Sequence, residues 1–312
     1  MEMSDVHANN ANPALTRASA VIGQRIVELV TLASIEMSAR DAASARAAAE
    51  LLPSGTSVYV NFLPHQSLSE LLEAAVALRD AGFNPVPHLA ARTIESRQAL
   101  RGFLQRAVRD AGVRRVLVIG GDVPQPLGPY VDSLALIREG ALAEAGIREL
   151  GVAGYPEGHP RIASDKLDAA LVEKRALARE QGLALHLVTQ FSFAPARVVQ
   201  FCAAHGRKAP GLPLHLGIAG PTAAATLFKY AQRCGVSASL RALRNFGFDA
   251  VTLMMHTDPG EQLAAIAGFS EHRAVCDVAG VHFFSFGGFL HTARWINRFI
   301  TKNSAAQPSA GN

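Results

Sequence analysis

Eight short apolar runs, each separated from the next by a longer polar-faced stretch, limit this chain to very few folds. The runs are Leu32–Met37, Ser57–Phe62, Pro85–Leu89, Arg115–Ile119, Glu149–Ala153, Ala184–Thr189, Pro213–Ile218 and Gly280–Ser285. Between most of them apolar residues recur at three-and-four spacing, as in Leu68–Ala81, Glu95–Ala111, Asp165–Gln181, Ala194–His205 and Glu261–Asp277, which is the period of a half-buried helix. Gly82, Gly112 and Gly182 close three of these stretches, as glycine does past a helix end. The longer gap before the last run has room for three helices, Ala223–Cys234, Ser237–Asn245 and Glu261–Asp277. Eight strand–helix units over about 250 residues predict a closed, single-domain α/β (β/α)8 TIM barrel. The other arrangement of such units is an open doubly wound sheet. No GxGxxG follows the first run, which weighs against it.

Expected boundaries are a flexible segment over 1–20, a barrel over 21–301 and a disordered tail over 302–312. With 49% hydrophobic and 18% charged residues, the chain can bury a large core. The net charge of +4 is spread out, and its densest basic stretch, Arg106–Arg115, is interrupted by acidic and apolar residues. That favours solvated helix faces over a nucleic-acid footprint. Cys202, Cys234 and Cys276 are sparse and odd in number, so neither a disulfide framework nor a zinc knuckle is expected. No apolar run is long enough to span a bilayer, and the polar N-terminus is unlike a signal peptide. A cytoplasmic location is expected.

The chemistry collects at the C-terminal ends of the runs, where a barrel carries its active site. Ile119-Gly120-Gly121-Asp122 ends the fourth run with two glycines and a carboxylate. Glycines there permit close ligand approach, although Gly-Gly-Asp is also an ordinary turn. Glu36 ends the first run within apolar surroundings, where desolvation can hold a carboxyl protonated as a general acid. Asn61 ends the second run and His88, directly after Pro85-Val86-Pro87, the third. Gly154-Tyr155-Pro156-Glu157-Gly158-His159-Pro160 reads as a rigid loop, for a ligand or as a plain turn. Gln190 ends the sixth run with an amide suited to a heterocycle edge. His256, His282 and His291 are scattered and lack the spacing of a metal motif.

These residues, in this order, resemble the methylenetetrahydrofolate reductase family, flavin-dependent (β/α)8-barrel enzymes of one-carbon metabolism. The resemblance extends from Ser34 to about Phe289. Ser34-Ile35-Glu36 is similar to the family's first-strand motif, Pro87-His88-Leu89 to its PHL and Gly121-Asp122 to its GD. Gly154–Pro160 is similar to its (A/G)YPExHP and Thr189-Gln190-Phe191 to its TQ(F/L). The resemblance implies FAD as cofactor and NAD(P)H as co-substrate. Hydride would pass through the flavin to 5,10-methylenetetrahydrofolate, giving 5-methyltetrahydrofolate and serving methionine biosynthesis. Glu36, Asp122 and Gln190 would be catalytic, with Asp122, Gln190 and Phe286 on the substrate. Asn61, His88, Gly120, Gly121, Asp122, Tyr130, Val131, Gly154, Tyr155, His159, Asp168, Arg175 and Arg179 would meet FAD.

Three departures mark a divergent branch. Gly120 stands where the family often has an Arg that helps hold the cofactor, Asn61 where it has Thr, and Gly288 where an Arg meets the folate glutamate tail. The basic pair after YPExHP is only loosely represented by Lys174, Arg175 and Arg179. Other readings of the scaffold are a reductase run oxidatively in a demethylation pathway, a different one-carbon carrier, and a non-catalytic flavin- or folate-binding accessory subunit. Partners would be small molecules, without nucleic acid or membrane; a homo-oligomer is compatible with the sequence.

Overall fold

The computed structural model describes residues 13–63, 66–192, 194–233, 236, 259–270 and 277–304. Eight parallel strands close into a barrel in chain order: β1 (Ser34–Ser38), β2 (Ser57–Asn61), β3 (Asn84–Ala90), β4 (Arg115–Ile119), β5 (Glu149–Gly154), β6 (Ala184–Thr189), β7 (Leu214–Ala219) and β8 (Val278–Phe284). The outer layer holds α1 (Pro13–Thr31), α2 (Ala45–Ala49), α3 (Leu68–Asp80), α4 (Arg97–Ala111), α5 (Ser133–Arg138), α6 (Ala141–Glu144), α7 (Ser164–Glu180), α8 (Pro195–Lys208), α9 (Ala224–Arg233), α10 (Gly260–Ser270) and α11 (Phe289–Ser304). All eight expected strands are present, shifted by at most two residues at either end. The expected helix Ser237–Asn245 and most of the expected tail lie outside the described residues. α1 begins inside the segment expected to be flexible. It also takes the chain as far as Thr31, so β1 starts at Ser34 rather than Leu32.

Local sequence explains the helix ends. Ser67 caps α3 by accepting from the Glu70 backbone amide at 3.2 Å, while Glu70 accepts from the Ser67 amide at 2.7 Å, the reciprocal capping box. Ser96 caps α4, and Gly112 ends it in the left-handed region at φ 63°.

Strand alternation sorts the side chains onto two faces. Ile35, Met37, Val58, Val60, Val116, Val118, Leu216, Val281 and Phe283 point outward and join the helices in one large core. Tyr59, Val86, Leu117 and Val188 form a separate cluster inside the barrel. The interior also carries polar groups in tiers. At the strand starts Arg115 donates to Glu149 at 2.6 Å and to Ser57 at 3.2 Å. One level up, the Tyr59 hydroxyl lies 3.1 Å from His186 Nε2, and the His186 ring stands edge-on to His215 at 5.3 Å. Gly151 leaves room for that imidazole, since a Cβ there would lie 2.8 Å from His186 Nε2. A register shift between Leu214 and His215 interrupts the β7–β8 pairing, a local irregularity of the kind that re-aims a side chain.

Burial pushes His186 down to about 3 and His215 down to about 4 from an ordinary 6.5. Both imidazoles are therefore neutral in the folded protein, whereas unfolding lets them take up protons below pH 6.5. Their contribution is complete above that pH and is lost as pH falls toward their folded values, each by up to about 1.4 kcal/mol per pH unit. Urea unfolding of wild type and His215→Asn at pH 7 and pH 5 checks this. The wild type should lose more stability on acidification than the variant, and equal losses would show that His215 does not carry the linkage.

Gly217 provides a second test. A Cβ there would approach the Thr189 carbonyl to 2.2 Å and the Phe284 ring to 2.7 Å. Gly217→Ala should therefore cost roughly 1–3 kcal/mol, as overpacking does. An unchanged unfolding midpoint would contradict the close approach of β6, β7 and β8.

Candidate active site

Glu36 is the centre of the polar group at the C-terminal end of the barrel. Its inward phase on β1 follows from its neighbours Ile35 and Met37, which point outward into the core. Its side chain is 13% exposed, and Oε1 lies 3.5 Å from His282 Nε2 on β8 and 3.8 Å from His88 Nε2 on β3. The Asn61 side chain at the end of β2 also reaches it. His282 is fully buried, and its Nδ1 lies 2.9 Å from the Ser34 hydroxyl. Asn61 Oδ1, His88 Nε2 and His282 Nε2 are buried without a hydrogen-bond partner.

Burial is the largest influence on Glu36 and raises its pKa. It is outweighed by the close approach of His282, the charges of His88 and His282, and the Asn61 contact, so the carboxyl is held below its ordinary value. Burial pushes His88 down to about 4, against the attraction of Glu36. A neutral His88 cannot lend its charge to Glu36 near neutral pH, which leaves His282 at 3.5 Å and the Asn61 contact to favour the carboxylate. Sequence reasoning expected desolvation to hold Glu36 protonated; desolvation is present, and the imidazoles reverse its sign.

A second group forms on the β4 and β5 loops. Asp122 is 69% exposed and pairs with Arg161 at 3.5 Å. The Tyr155 and His159 rings meet edge-on at 4.9 Å, and His159 Nδ1 accepts from the Arg161 backbone amide at 3.2 Å. Gly121 has φ 91°, a conformation open to glycine and strained for other residues. A Cβ on Gly120 would meet nothing within 4 Å. Gly154 ends β5 with its carbonyl accepting from the Gln190 amide at 2.8 Å. The Gln190 side-chain carbonyl accepts from the Phe191 amide at 3.1 Å.

An aromatic wall adjoins Gln190. Phe286 contacts Phe191 and Tyr230, each at 5.0 Å between ring centroids, and Phe284 packs against Phe191 at 5.3 Å. Phe286 has φ 50°, strained for a bulky residue and a recurrent mark of functional loops.

Other expected site residues are engaged elsewhere. Tyr130 is buried and its hydroxyl donates to Glu139. Val131 is exposed. Asp168 pairs with Lys208 at 2.5 Å, and Arg175 donates to the Pro210 carbonyl at 2.8 Å. Arg179 is exposed on the same helix, α7. Sequence reasoning named His282 without a role and missed Tyr59, His186 and His215. The available signal was strand phase, because all four occupy inward positions that barrels usually fill with Val, Ile or Leu. Among the described residues no group of three His, Cys, Asp or Glu side chains could hold a metal ion, and no helix is long and apolar enough to cross a membrane.

Comparison with one solved structure supports the barrel. An uncharacterized protein from Clostridium thermocellum that binds two copies of 5-methyl-5,6,7,8-tetrahydrofolic acid superposes with a TM-score of 0.56 at 12% identity, over 91% of this chain and 99% of that one. A putative phosphonomutase from Burkholderia cenocepacia and the dihydropteroate synthase of Thermus thermophilus each give 0.49 at 12% identity. They cover 92% and 89% of this chain, and 98% and 96% of their own. The family model described as Methylenetetrahydrofolate reductase matches residues 44–241. That match includes Asn61, His88, Asp122, Tyr155 and Gln190, and the fold brings Glu36 and His282, outside it, against Asn61 and His88. More than half of the chain matches, and the chain belongs to the methylenetetrahydrofolate reductase family.

Proposed function

We propose that this protein is a methylenetetrahydrofolate reductase that moves hydride from NAD(P)H through FAD to 5,10-methylenetetrahydrofolate. The observation that carries the reading is the buried Glu36 carboxyl, set between His88 and His282 at the barrel's C-terminal end. The folate ring must be protonated on nitrogen before it opens to an iminium, and a positioned acid is what that step needs. The folate-binding neighbour agrees with this substrate class.

The residues present fit one end of FAD better than the other. Beside Glu36, Asn61 Oδ1 and His88 Nε2 are buried polar atoms without partners, suited to a heterocycle edge. Tyr155 and His159 offer ring surface. At the nucleotide end, Tyr130, Asp168 and Arg175 are already paired within the protein. A bound flavin supplies the two-electron carrier between NAD(P)H and folate.

This chain's own residues divide the remaining work. Glu36 passes the proton to the folate nitrogen. Asp122 accepts from the pterin amino and ring N–H edge once Arg161 turns aside. Gln190 spends its carbonyl on Phe191 and keeps its NH2 to donate to substrate. Phe286 and its aromatic neighbours provide a stacking wall.

The test is spectroscopic. Purified protein should carry flavin absorbance that bleaches with NAD(P)H under anaerobic conditions and returns with methylenetetrahydrofolate, yielding 5-methyltetrahydrofolate. A colourless protein that makes no methyl product would refute the reading. Glu36→Gln should still bleach with NAD(P)H but lose about a hundredfold to ten-thousandfold in reoxidation by folate. Reoxidation within about threefold of wild type would remove Glu36 from the acid role.

Gly120 bears on cofactor retention. The space above it is open, so Gly120→Arg should fold normally and hold FAD about tenfold to a hundredfold more tightly, the worth of one charge-assisted hydrogen bond. Flavin fluorescence during serial dilution reads this. Equal release from wild type and variant would mean that an Arg at this position cannot reach the cofactor.

A further inference from the structure

We propose that His282, seated on Ser34, supplies Glu36 with the proton it delivers, so that the acid of this site is the Glu36–His282 pair. The inference rests on the reductase reading for its consequence in catalysis, and on geometry alone for the pairing. His282 Nε2 faces Glu36 Oε1 at 3.5 Å, and Nδ1 faces the Ser34 hydroxyl at 2.9 Å. His88 approaches the same carboxylate oxygen at 3.8 Å, and Nε2 of both rings lacks a hydrogen-bond partner, but only His282 has the Ser34 hydroxyl behind it. Of the two imidazoles, His282 is thus the one held from behind.

The nature of that support matters. A carboxylate behind His282 would lock a proton on Nδ1. A hydroxyl can accept from Nδ1–H or donate to a bare Nδ1, and Ser34 also has the Val281 carbonyl at 3.5 Å as an alternative acceptor. The imidazole can therefore carry one proton or two without leaving Nδ1 unpaired. In the loaded state His282 is protonated on both nitrogens and Glu36 is a carboxylate. The Nε2–H bond breaks and an Oε1–H bond forms, leaving a neutral imidazole and a neutral carboxyl. Glu36 then gives the proton to the folate ring nitrogen as the ring C–N bond breaks with its electron pair going to nitrogen. The spent site is a carboxylate beside a neutral His282 and takes one proton from water before the next turnover. His282 is a positioning residue that acts through Glu36.

The groups around His282 agree with a single exchangeable proton. Glu36 on β1 is the carboxylate facing it. Tyr59 on β2 packs its ring edge-on at 4.7 Å, and its hydroxyl is taken by His186 on β6. His88 on β3, Arg115 on β4, Glu149 on β5 and His215 on β7 are the other titratable groups of the interior among the described residues. Burial favours the neutral form of His88, His186 and His215.

The experiment is a carboxyl titration of glutamate-13C-labelled protein by NMR, with Glu36 assigned by difference from Glu36→Gln. His282→Asn should raise the Glu36 pKa by about one to three units, the range for losing a close cationic or donor partner. It should also move the pH profile of folate reduction in the same direction. Ser34→Ala keeps the ring and should give a smaller shift of the same sign, and it decides the matter should His282→Asn fail to fold. A Glu36 pKa within about half a unit of wild type in His282→Asn, or unmoved in Ser34→Ala, overturns the pairing. The titration needs no turnover. A protein that shows the shift yet reduces no folate would refute the reductase reading and leave the pair standing.

Discussion

The closure between β1 and β8 is the contact on which the site depends. Only Ser34↔His282 and Ile35↔Phe283 are in register along this seam, and the same two residues, Ser34 and His282, share a side-chain hydrogen bond. Joining the ends of the sheet and assembling the Glu36 environment are therefore one event. Ile35 and Phe283 anchor the seam from outside, where both are fully buried in the core. Their alternation with Ser34, Glu36 and His282 forces the polar members inward. A one-residue slip would place Glu36 in the apolar layer beneath the helices, which disfavours every other register strongly.

A polar barrel interior is costly unless each group is either paired or neutral. This chain uses both solutions, at different heights. At the base, Arg115 is charged and satisfied by Glu149 and Ser57. In the middle, Tyr59 is pushed up to about 12 and keeps its proton, while His186 is pushed down and can accept it. At the top the pairing is incomplete, with Asn61 Oδ1, His88 Nε2 and His282 Nε2 lacking hydrogen-bond partners. His215 Nδ1 in the middle tier is also without a partner, but the other three atoms stand together at the C-terminal end, and such a group marks a place shaped for a ligand.

The architecture was legible in the sequence because the two periods are clean. Val116–Val118 and, His186 apart, Leu185–Val188 are too short and too apolar for surface helices, and Gly112 and Gly182 separate them from the helices before them. The strand-end residues were legible too, since position at a strand end needs no knowledge of side-chain direction. What could not be read was which distant residues share a tier. His282 and Glu36 stand 246 positions apart, and their meeting depends on the inward phase of two strands and on a seam of two residue pairs. Tyr130, Asp168 and Arg175 show the reverse case: expected cofactor positions whose side chains have found partners on their own side of the fold. The helix α1 was passed over because its first turns lie in polar sequence, although Ile22, Ile26, Leu29 and Val30 recur at helical spacing and pack on the core.

The tiers also determine how the site exchanges protons with water. From below, the base ion pair is separated from Glu36 by Val86, Leu117 and Val188, which with the Tyr59 ring form an apolar layer across the barrel. The Tyr59 hydroxyl is directed to His186, and only its ring edge meets His282 and His88. A proton entering at Arg115 or Glu149 would have to cross that layer without a chain of hydrogen bonds. The C-terminal end is different, since Asp122 is well exposed there and the Glu36 side chain retains some contact with solvent. Exchange through that end has a consequence for catalysis. Under the proposed function, a bound folate would cover the route by which Glu36 is recharged, so the proton for each turnover would have to be stored beside Glu36 before the substrate arrives, and the buried imidazole at the barrel seam is placed to store it.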